Sequence, residues 1–272
     1  MKRNRPRLSR RTFWVLCALL VCLRLTLTGF QQAYIWVGGA PLDDELMFRA
    51  ANSITAGQWL GAYDYLTLSK AMFFPVWLAL LHALHLPYLI SGAALWCGAA
   101  LTAAFAFSPL WRKKDPERGR VLTLALFAVL AFLPSSWASY TLRVYRDNIF
   151  PALCLYFFAG MAGMALRAVQ EKPVPLWPWL AAAGAGLACG YLNREDAGLF
   201  LLPFAAAATV IVAVVLAGKR RWKALAAQLI PYLMLGAGVL TFCTLNYTHY
   251  GVFALSDFSE GSFAAAMGAM MR

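Results

Sequence analysis

The chain has 272 residues, of which 61% are hydrophobic and 13% charged, and its net charge is +12. A soluble domain is closer to half apolar and a quarter charged, whereas apolar runs long enough to cross a bilayer recur along this chain. The composition excludes an ordinary soluble domain and predicts an all-α polytopic membrane protein. We discount nucleic-acid binding, because no basic stripe is interleaved with aromatic residues.

The first eleven residues are strongly basic and lead into an apolar stretch that continues to Phe30. Since no small-residue cleavage site follows, we interpret this stretch as an uncleaved first transmembrane helix rather than a signal peptide. Arg24 lies inside it, and two placements are open. The side chain could snorkel to the outer interface, which is the default, or face the bundle interior as a partner for an anion.

Eight apolar segments follow one another along the chain. They cover 12–30, 72–87, 88–110, 121–138, 149–166, 176–192, 197–217 and 224–247. The segment 72–87 is short, contains Pro75 and follows an amphipathic stretch, so it suits an interfacial or re-entrant helix. Seven crossings then remain, in a transmembrane module over 12–247 whose first outer loop, 31–87, carries interfacial helices.

Charge supports this topology. With seven crossings, 17 of the 24 Lys and Arg residues fall on the side of the N-terminus. The positive-inside tendency therefore predicts a cytoplasmic basic N-terminus, 1–11, in a multi-pass plasma-membrane protein, and an extracytoplasmic tail, 248–272. Nine of the 12 acids fall on the outer side: Asp43, Asp44, Glu45, Asp64, Asp147, Glu195, Asp196, Asp257 and Glu260.

Three consecutive carboxylates follow the first helix. We expect Asp43 to cap a helix that Gly57 ends, and Glu45 to pair with Arg49 four residues later. Asp44 instead heads the apolar face of this helix, so its carboxylate points toward protein or membrane and is a candidate for a functional site. The rest of that face is Met47, Phe48, Ala51 and Thr55.

Basic residues stand at three outer positions. Lys70 precedes the interfacial segment, where it could anchor the chain or bind a phosphate or carboxylate headgroup. Arg143 and Arg146 lie three residues apart, on one face if that turn is helical. Asp147 follows them and is expected to cap the next helix.

The link between two later helices is very short, so its charges should lie at the outer membrane interface. It carries Arg194 and Glu195, followed by Asp196. Charges at that depth lie level with lipid headgroups.

The order of these features resembles the C-type (GT-C) glycosyltransferase superfamily, in particular the branch of protein O-mannosyltransferases and lipid A aminoarabinose transferases. The resemblance spans roughly 12–204. The residues that carry it are Asp44-Glu45 with Gly57-Gln-Trp-Leu60, Lys70 with Pro75, Tyr145-Arg-Asp147, and Arg194-Glu-Asp196 with Pro203.

The resemblance implies a seven-helix module that transfers a sugar from a polyprenyl-phosphate donor to a lipid, protein or glycan acceptor outside the membrane. Asp44 would be the general base, and Asp147 would be an acid that either supports the residues in contact with substrate or acts on the acceptor side. Cationic side chains, Lys70, Arg146 and Arg194, would hold the donor phosphate. Glu45, Arg143 and Glu195 complete the set of candidate substrate-binding residues.

No cofactor is expected from the sequence, and a divalent metal requirement is left open. Relatives in this superfamily continue beyond the seventh helix, so the chain is expected to be a fragment, a short member or a non-catalytic relative. Two alternatives from other classes are kept: a transporter or flippase subunit that binds lipid phosphate, and a membrane scaffold without activity. The near absence of charge from the helix middles, Arg24 apart, favours a surface site over a translocation path.

Overall fold

The computed structural model describes residues 8–35, 41–64, 66–112, 116–257 and 262–270. Within these ranges the chain is helical, and no β-strand is present; one isolated parallel bridge joins Tyr34 to Arg143. The helices are α1 Arg10–Gly29, α2 Pro41–Thr55, α3 Phe73–Ala83, α4 Tyr88–Phe107, α5 Pro109–Arg112, α6 Pro116–Ala131, α7 Ser139–Leu142, α8 Phe150–Ala168, α9 Trp177–Asn193, α10 Ala197–Gly218, α11 Trp222–Ala227, α12 Ile230–Tyr250 and α13 Ser262–Met270.

Five helical stretches in the described chain are long and apolar enough to cross a membrane. They are Arg10–Gly29, Tyr88–Trp111, Phe150–Ala168, Ala197–Gly218 and Trp222–Tyr250. The prediction of an all-α membrane protein is therefore confirmed. Two of the seven expected crossings, α6 and α9, are shorter, with 16 and 17 residues.

The segment 72–87, for which an interfacial or re-entrant helix was predicted, contains a short helix. Helix α3 has 11 residues, which corresponds to about 16 Å at 1.5 Å per residue, half of what a bilayer core requires. It packs against α2, and Phe74 is fully buried in the cluster that the two helices share. Together, α2 and α3 cover one end of the bundle.

Local sequence accounts for several helix ends. The side chain of Ser9 accepts a hydrogen bond from the backbone N–H of Thr12 and caps α1. Gly251 takes the left-handed conformation, with φ +72°, directly after α12, where a residue without Cβ is favoured. Helix α6 ends at Ala131, earlier than the predicted segment, because Pro134 opens a 3-10 turn over Pro134–Trp137.

Glycines allow α8 and α9 to approach each other closely. A Cβ on Gly160 would meet the backbone nitrogen of Ala183, and one on Gly186 would meet that of Phe157. In lipid, such backbone proximity replaces the hydrophobic effect as the source of helix association. The close pair brings the start of α8 beside the end of α9, where several candidate residues lie.

One end of the bundle gathers basic side chains and is called the basic end. There Arg167 donates to the carbonyl oxygens of Phe105 and Ala106 at 3.0 and 3.2 Å, and Lys219 donates to those of Ala168 and Gln170, both at 3.0 Å. The carbonyls of Phe105 and Ala106 belong to the last turn of α4, that of Ala168 ends α8, and that of Gln170 lies just beyond it. Each cation therefore lies at the negative end of a helix dipole.

The opposite end is called the acidic end. It contains Asp44, Asp147 and Glu195, as well as the segment that follows α12. That segment returns to the loop between α2 and α3: the backbone N–H of Asp257 donates to the carbonyl of Leu68 at 2.8 Å. Glu260, which was grouped with Asp257 from the sequence, lies outside the described residues.

Candidate functional site

Asp44 lies in the first turn of α2 and is 1% exposed. Met47 and Ala51 are buried with it, so the prediction that this carboxylate points into the protein is confirmed. Phe48 is 48% exposed, and Thr55 is also exposed. The buried face of α2 is thus rotated from the predicted one, away from Phe48 and toward Leu46 and Ala50.

Arg143 holds the Asp44 carboxylate through two hydrogen bonds. Its Nε donates to Oδ2 at 3.0 Å, and its Nη2 donates to Oδ1. The hydrogen bond with Asp44 raises the pKa of the Arg143 guanidinium, against the opposite effect of burial. A two-point pair of this kind makes a buried carboxylate tolerable, because an uncompensated charge in the interior is strongly destabilising.

The helix that carries Asp44 begins earlier than predicted. Because α2 starts at Pro41, Asp43 occupies its first turn instead of capping it. The Asp43 carboxylate faces Lys70, whose Nζ lies 3.5 Å from Oδ2. The structure therefore places Lys70 beside Asp43, the residue that precedes Asp44.

Tyr145 connects the ion pairs, and sequence reasoning missed this role. Its hydroxyl donates to Asp43 Oδ2 at 3.1 Å and accepts from Nη2 of Arg146 at 2.7 Å. The Cζ atoms of Arg143 and Arg146 lie 4.5 and 4.9 Å from its ring centroid. Burial raises the pKa of Tyr145 to about 12, so the phenol stays protonated at neutral pH. The only sequence signal was its position within Tyr145-Arg-Asp147.

Arg146 and Glu195 form the second strong pair. Nη1 of Arg146 lies 2.9 and 2.8 Å from the two carboxylate oxygens of Glu195, which also accepts the backbone N–H of Ala71. Burial by itself would raise the pKa of Glu195, but the Arg146 charge and the hydrogen bonds outweigh it and lower the pKa below 4.5. Glu195 is therefore ionised at neutral pH and ties the α9–α10 link to the start of α3.

Arg194 binds two carboxylates at once. Its Nη1 donates to Asp147 Oδ1 at 3.0 Å, and its Nε and Nη2 donate to Asp196 at 3.0 and 3.1 Å. The hydrogen bond with Arg194 lowers the pKa of the Asp196 carboxyl. The expectation that Asp147 caps the next helix is wrong, because α8 begins at Phe150 without a side-chain cap.

The predicted pair between Glu45 and Arg49 is replaced by another. Nη2 of Arg49 lies 2.8 Å from Oδ2 of Asp64, in the loop that follows α2. Glu45 is exposed on the outer side of α2. Glu45 therefore stands apart from the other seven candidate residues, which take part in the ion pairs described above.

Seven candidates thus converge at the acidic end, but with their cations already paired. Lys70, Arg143, Arg146 and Arg194 each face at least one carboxylate. An anionic substrate would compete with those carboxylates for the guanidinium groups. No group of three or more His, Cys, Asp or Glu side chains in the described chain is arranged to hold a metal ion.

A cavity of about 60 Å³ opens beside this cluster. Its polar lining includes Glu195 and Ser256, and its apolar lining includes Met72, Leu192 and Phe242. The cavity is therefore bounded by polar groups on one side and by apolar side chains on the other.

Arg24 lies apart from this cluster, in the bundle interior, where it is 2% exposed. Of the two placements open from the sequence, the default of snorkelling is wrong. The Nη2 group donates to the carbonyl of Ser136 at 2.7 Å, and the guanidinium covers the ring of Trp137. The turn that Pro134 opens after α6 supplies both contacts.

Comparisons of the chain with protein-family models, with curated proteins and with solved structures found no match.

Proposed function

We propose that the protein is an integral-membrane glycosyltransferase of the GT-C kind, with its active site at the acidic end of the bundle. It would transfer a sugar from a polyprenyl-phosphate donor to a lipid, protein or glycan acceptor. The observation that carries this proposal is the buried carboxylate of Asp44, held by Arg143 at the start of an amphipathic helix.

The surroundings of this pair support the proposal. Lys70 and Arg146 lie in one network, which links Lys70 through Asp43 and Tyr145 to Arg146. Arg194 pairs with Asp147, the residue that follows Arg146. Cations held in a partly dry site stabilise the charge that develops on a leaving phosphate far better than cations in water do. The apolar wall of the neighbouring cavity offers a place for the lipid chain of the donor.

The chemistry begins with an exchange of partners. The side chain of Arg143 is 20% exposed, whereas that of Asp44 is 0% exposed. A donor phosphate that reaches Arg143 would accept its N–H groups, and the Asp44 oxygens would become available to an acceptor hydroxyl. Substrate binding would in this way make the Asp44 carboxylate available as a base. Without substrate, Asp44 and Arg143 would remain paired.

The transfer step then balances with one base. The acceptor oxygen bonds to the anomeric carbon while its proton passes to Asp44. The bond from that carbon to the phosphate oxygen breaks, and polyprenyl phosphate leaves with the electron pair. Displacement in line with the leaving group inverts the anomeric carbon. Lys70, Arg146 and Arg194 stabilise the phosphate charge as it grows.

The topology belongs to the same proposal. Seven crossings, by α1, α4, α6, α8, α9, α10 and α12, would place the basic end in the cytoplasm and the acidic end outside. Polyprenyl-linked sugars and their acceptors would then meet the active site on the extracytoplasmic face. Helices α2 and α3 would lie along that face.

One observation favours a second candidate, a transporter or flippase subunit that binds lipid phosphate without chemistry. Each outer arginine of the cluster is already paired, and a buried arginine, Arg24, lies within the span of α1. Such a protein would need the cations of the acidic end but not the Asp44 carboxylate as a base. Replacing Asp44 therefore separates the two candidates.

The experiment is a transfer assay on membranes supplied with polyprenyl-phosphate sugars. We expect Asp44→Asn, which retains the shape of the side chain and one of its two acceptor oxygens, to reduce transfer by about 10²- to 10⁴-fold, as the loss of a general base does. The matched control is Asp64→Asn, which removes a carboxylate from the same face and should retain the wild-type rate. Transfer by Asp44→Asn at the wild-type rate would exclude Asp44 as the base.

A further inference from the structure

Arg24 has unused hydrogen-bonding capacity. Its Nη2 donates to the Ser136 carbonyl, but Nε and Nη1 have no hydrogen-bond partner among the described residues. The Cζ atom lies 3.3 Å from the ring centroid of Trp137, which covers one face of the guanidinium. A buried cation with two unpaired donors is costly, and such a residue within a membrane helix is a functional candidate by default.

Asn148 adds an acceptor to the same place. Its Nδ2 donates to the carbonyl of Thr141 at 2.8 Å, which fixes the orientation of the amide. Its Oδ1 is buried and has no donor among the described residues. Gly92 lies so close that a Cβ there would meet this oxygen. The side chain is thus held with its acceptor atom unsatisfied.

Both residues line one cavity of about 30 Å³ between α1, α4 and the start of α8. Thr28, Gln31 and Ser136 add further polar groups to its lining. A water molecule needs about 10–15 Å³, so the cavity has room for about two polar atoms of a larger ligand. It is partly open to the surface, and the remainder of such a ligand can stay outside.

The polar atoms of the cavity restrict the chemistry of the ligand. Two N–H groups of a guanidinium require an acceptor, best an anionic oxygen, whereas Asn148 Oδ1 requires a donor such as a hydroxyl. We propose that the Arg24 cavity is a binding site for a phosphate group that also presents a hydroxyl. A lipid phosphodiester headgroup with a free hydroxyl and dihydrogen phosphate both meet this requirement.

This site is distinct from the proposed active site. The segment from Thr141 to Asn148 separates them, because Arg143 turns to Asp44 on one side while Asn148 lines the Arg24 cavity on the other. The proposal does not depend on Asp44 acting as a base. Phosphate binding should therefore survive in Asp44→Asn, whatever that variant does to transfer.

The experiment measures the thermal unfolding midpoint of the full chain in phosphate-free detergent. Three probes are titrated: short-chain phosphatidylglycerol, phosphatidylcholine with the same acyl chains, and inorganic phosphate. A ligand that binds the folded state raises the midpoint as its concentration passes the Kd. We expect phosphatidylglycerol to raise it more than phosphatidylcholine does, since choline has no hydroxyl for Asn148.

Substitutions at Arg24 test whether the rise in the unfolding midpoint comes from binding in the Arg24 cavity. Arg24→Gln should weaken binding about tenfold or more, as the loss of charged hydrogen bonds does. Arg24→Met should weaken binding in the same way. It is the second variant to measure if Arg24→Gln does not fold, because its apolar side chain suits a membrane helix. The matched control is Arg49→Gln, which removes an exposed outer charge and should bind as the wild type does.

Each outcome is decisive. A response to inorganic phosphate that Arg24→Gln abolishes supports the site and identifies free phosphate as its ligand, whereas a response to phosphatidylglycerol alone identifies a lipid headgroup. Equal responses in the wild type, Arg49→Gln and Arg24→Gln would overturn the proposal. The absence of any response to phosphatidylglycerol and to phosphate in the wild type would overturn it as well.

Discussion

Two arginine environments lie on either side of the segment from Thr141 to Asn148. Arg143 has a carboxylate partner that satisfies two of its donor groups, and it remains 20% exposed. Arg24 is almost completely buried, and two of its donor groups have no partner in the described chain. Two arginines thus differ in their hydrogen bonding: two donor groups of Arg143 have a carboxylate partner, whereas two donor groups of Arg24 have none in the described chain.

This difference in hydrogen bonding indicates two roles for a buried arginine: stabilising the fold and binding a ligand. Arg143 compensates a charge that the fold has already buried, so its removal should damage the structure. Arg24 compensates no protein charge in the cavity that it lines, so its removal should relieve the structure and cost only binding. Stability and binding measurements can therefore test the two roles separately.

The largest effect is expected from Arg143→Met. This change leaves the Asp44 carboxylate buried without its partner, which costs about 3–5 kcal/mol. Asp44→Asn should cost less, because Arg143 can turn to solvent. The free energy of unfolding in detergent, from denaturant titration, measures both. If Asp44→Asn proved as destabilising as Arg143→Met, the compensating role of Arg143 would be wrong.

The next effect is expected from Gly92→Ala. The added Cβ meets Asn148 Oδ1, so the amide must shift and the helices must adjust, at a cost of about 1–3 kcal/mol. The control is Gly236→Ala in α12, where a Cβ has no neighbour within 4 Å. That change should be neutral or stabilise by up to about 1 kcal/mol through helix propensity. Equal effects of the two changes would contradict the close contact at Gly92.

Arg24→Met should have the opposite sign to Arg143→Met. The variant removes a buried charge whose hydrogen bonding is incomplete and replaces it with an apolar side chain of similar length. We expect the free energy of unfolding to rise by about 1 kcal/mol, since the desolvation of Arg24 is only partly compensated. A loss of stability similar to that of Arg143→Met would show that Arg24 is as well satisfied as Arg143.

The smallest effect concerns pH and Glu195. Its pKa is lowered from 4.5 in the folded protein, so the folded state binds the proton less readily than the unfolded state does. The resulting stabilisation is present above pH 4.5 and is lost as the pH falls through the lowered pKa. We expect less than about 1 kcal/mol, because Glu195 is partly exposed.

The check for Glu195 compares the unfolding midpoints of the wild type and Glu195→Gln across the acid range. The difference between them should shrink as the pH falls below 4.5. A difference that is constant with pH would mean that Arg146 does not lower the pKa of Glu195.

Much of the fold could be predicted from the sequence because membrane helices have a simple signature. The length of the apolar segments suffices to place α1 and α4 within a few residues. The segment 121–138 was predicted to continue well past Ala131, where α6 ends. The burial of Asp44 followed from its spacing to Met47 and Ala51. Helical periodicity carries that information without knowledge of neighbouring helices.

The pairings could not be predicted, because they depend on which helix ends meet in space. Arg143 lies 99 residues from Asp44 in the chain, and nothing local distinguishes it from Lys70 as the partner. Arg49 had two acids within reach of its side chain, and the turn after Gly57 brought Asp64 rather than Glu45 to it. Arg24 was misplaced because its neighbour, Trp137, approaches only through the turn at Pro134.

The most direct test of Asp44 as the base is the transfer rate of the double variant Asp44→Asn/Arg143→Met. Removing both charges leaves no uncompensated charge at the position of this pair, so the free energy of unfolding should return toward the wild-type value. Transfer from a polyprenyl-phosphate sugar should nevertheless stay about 10²-fold or more below wild type, because no base remains. If transfer recovered together with stability, Asp44 and Arg143 would be a structural pair, and the account of catalysis at the acidic end would be contradicted.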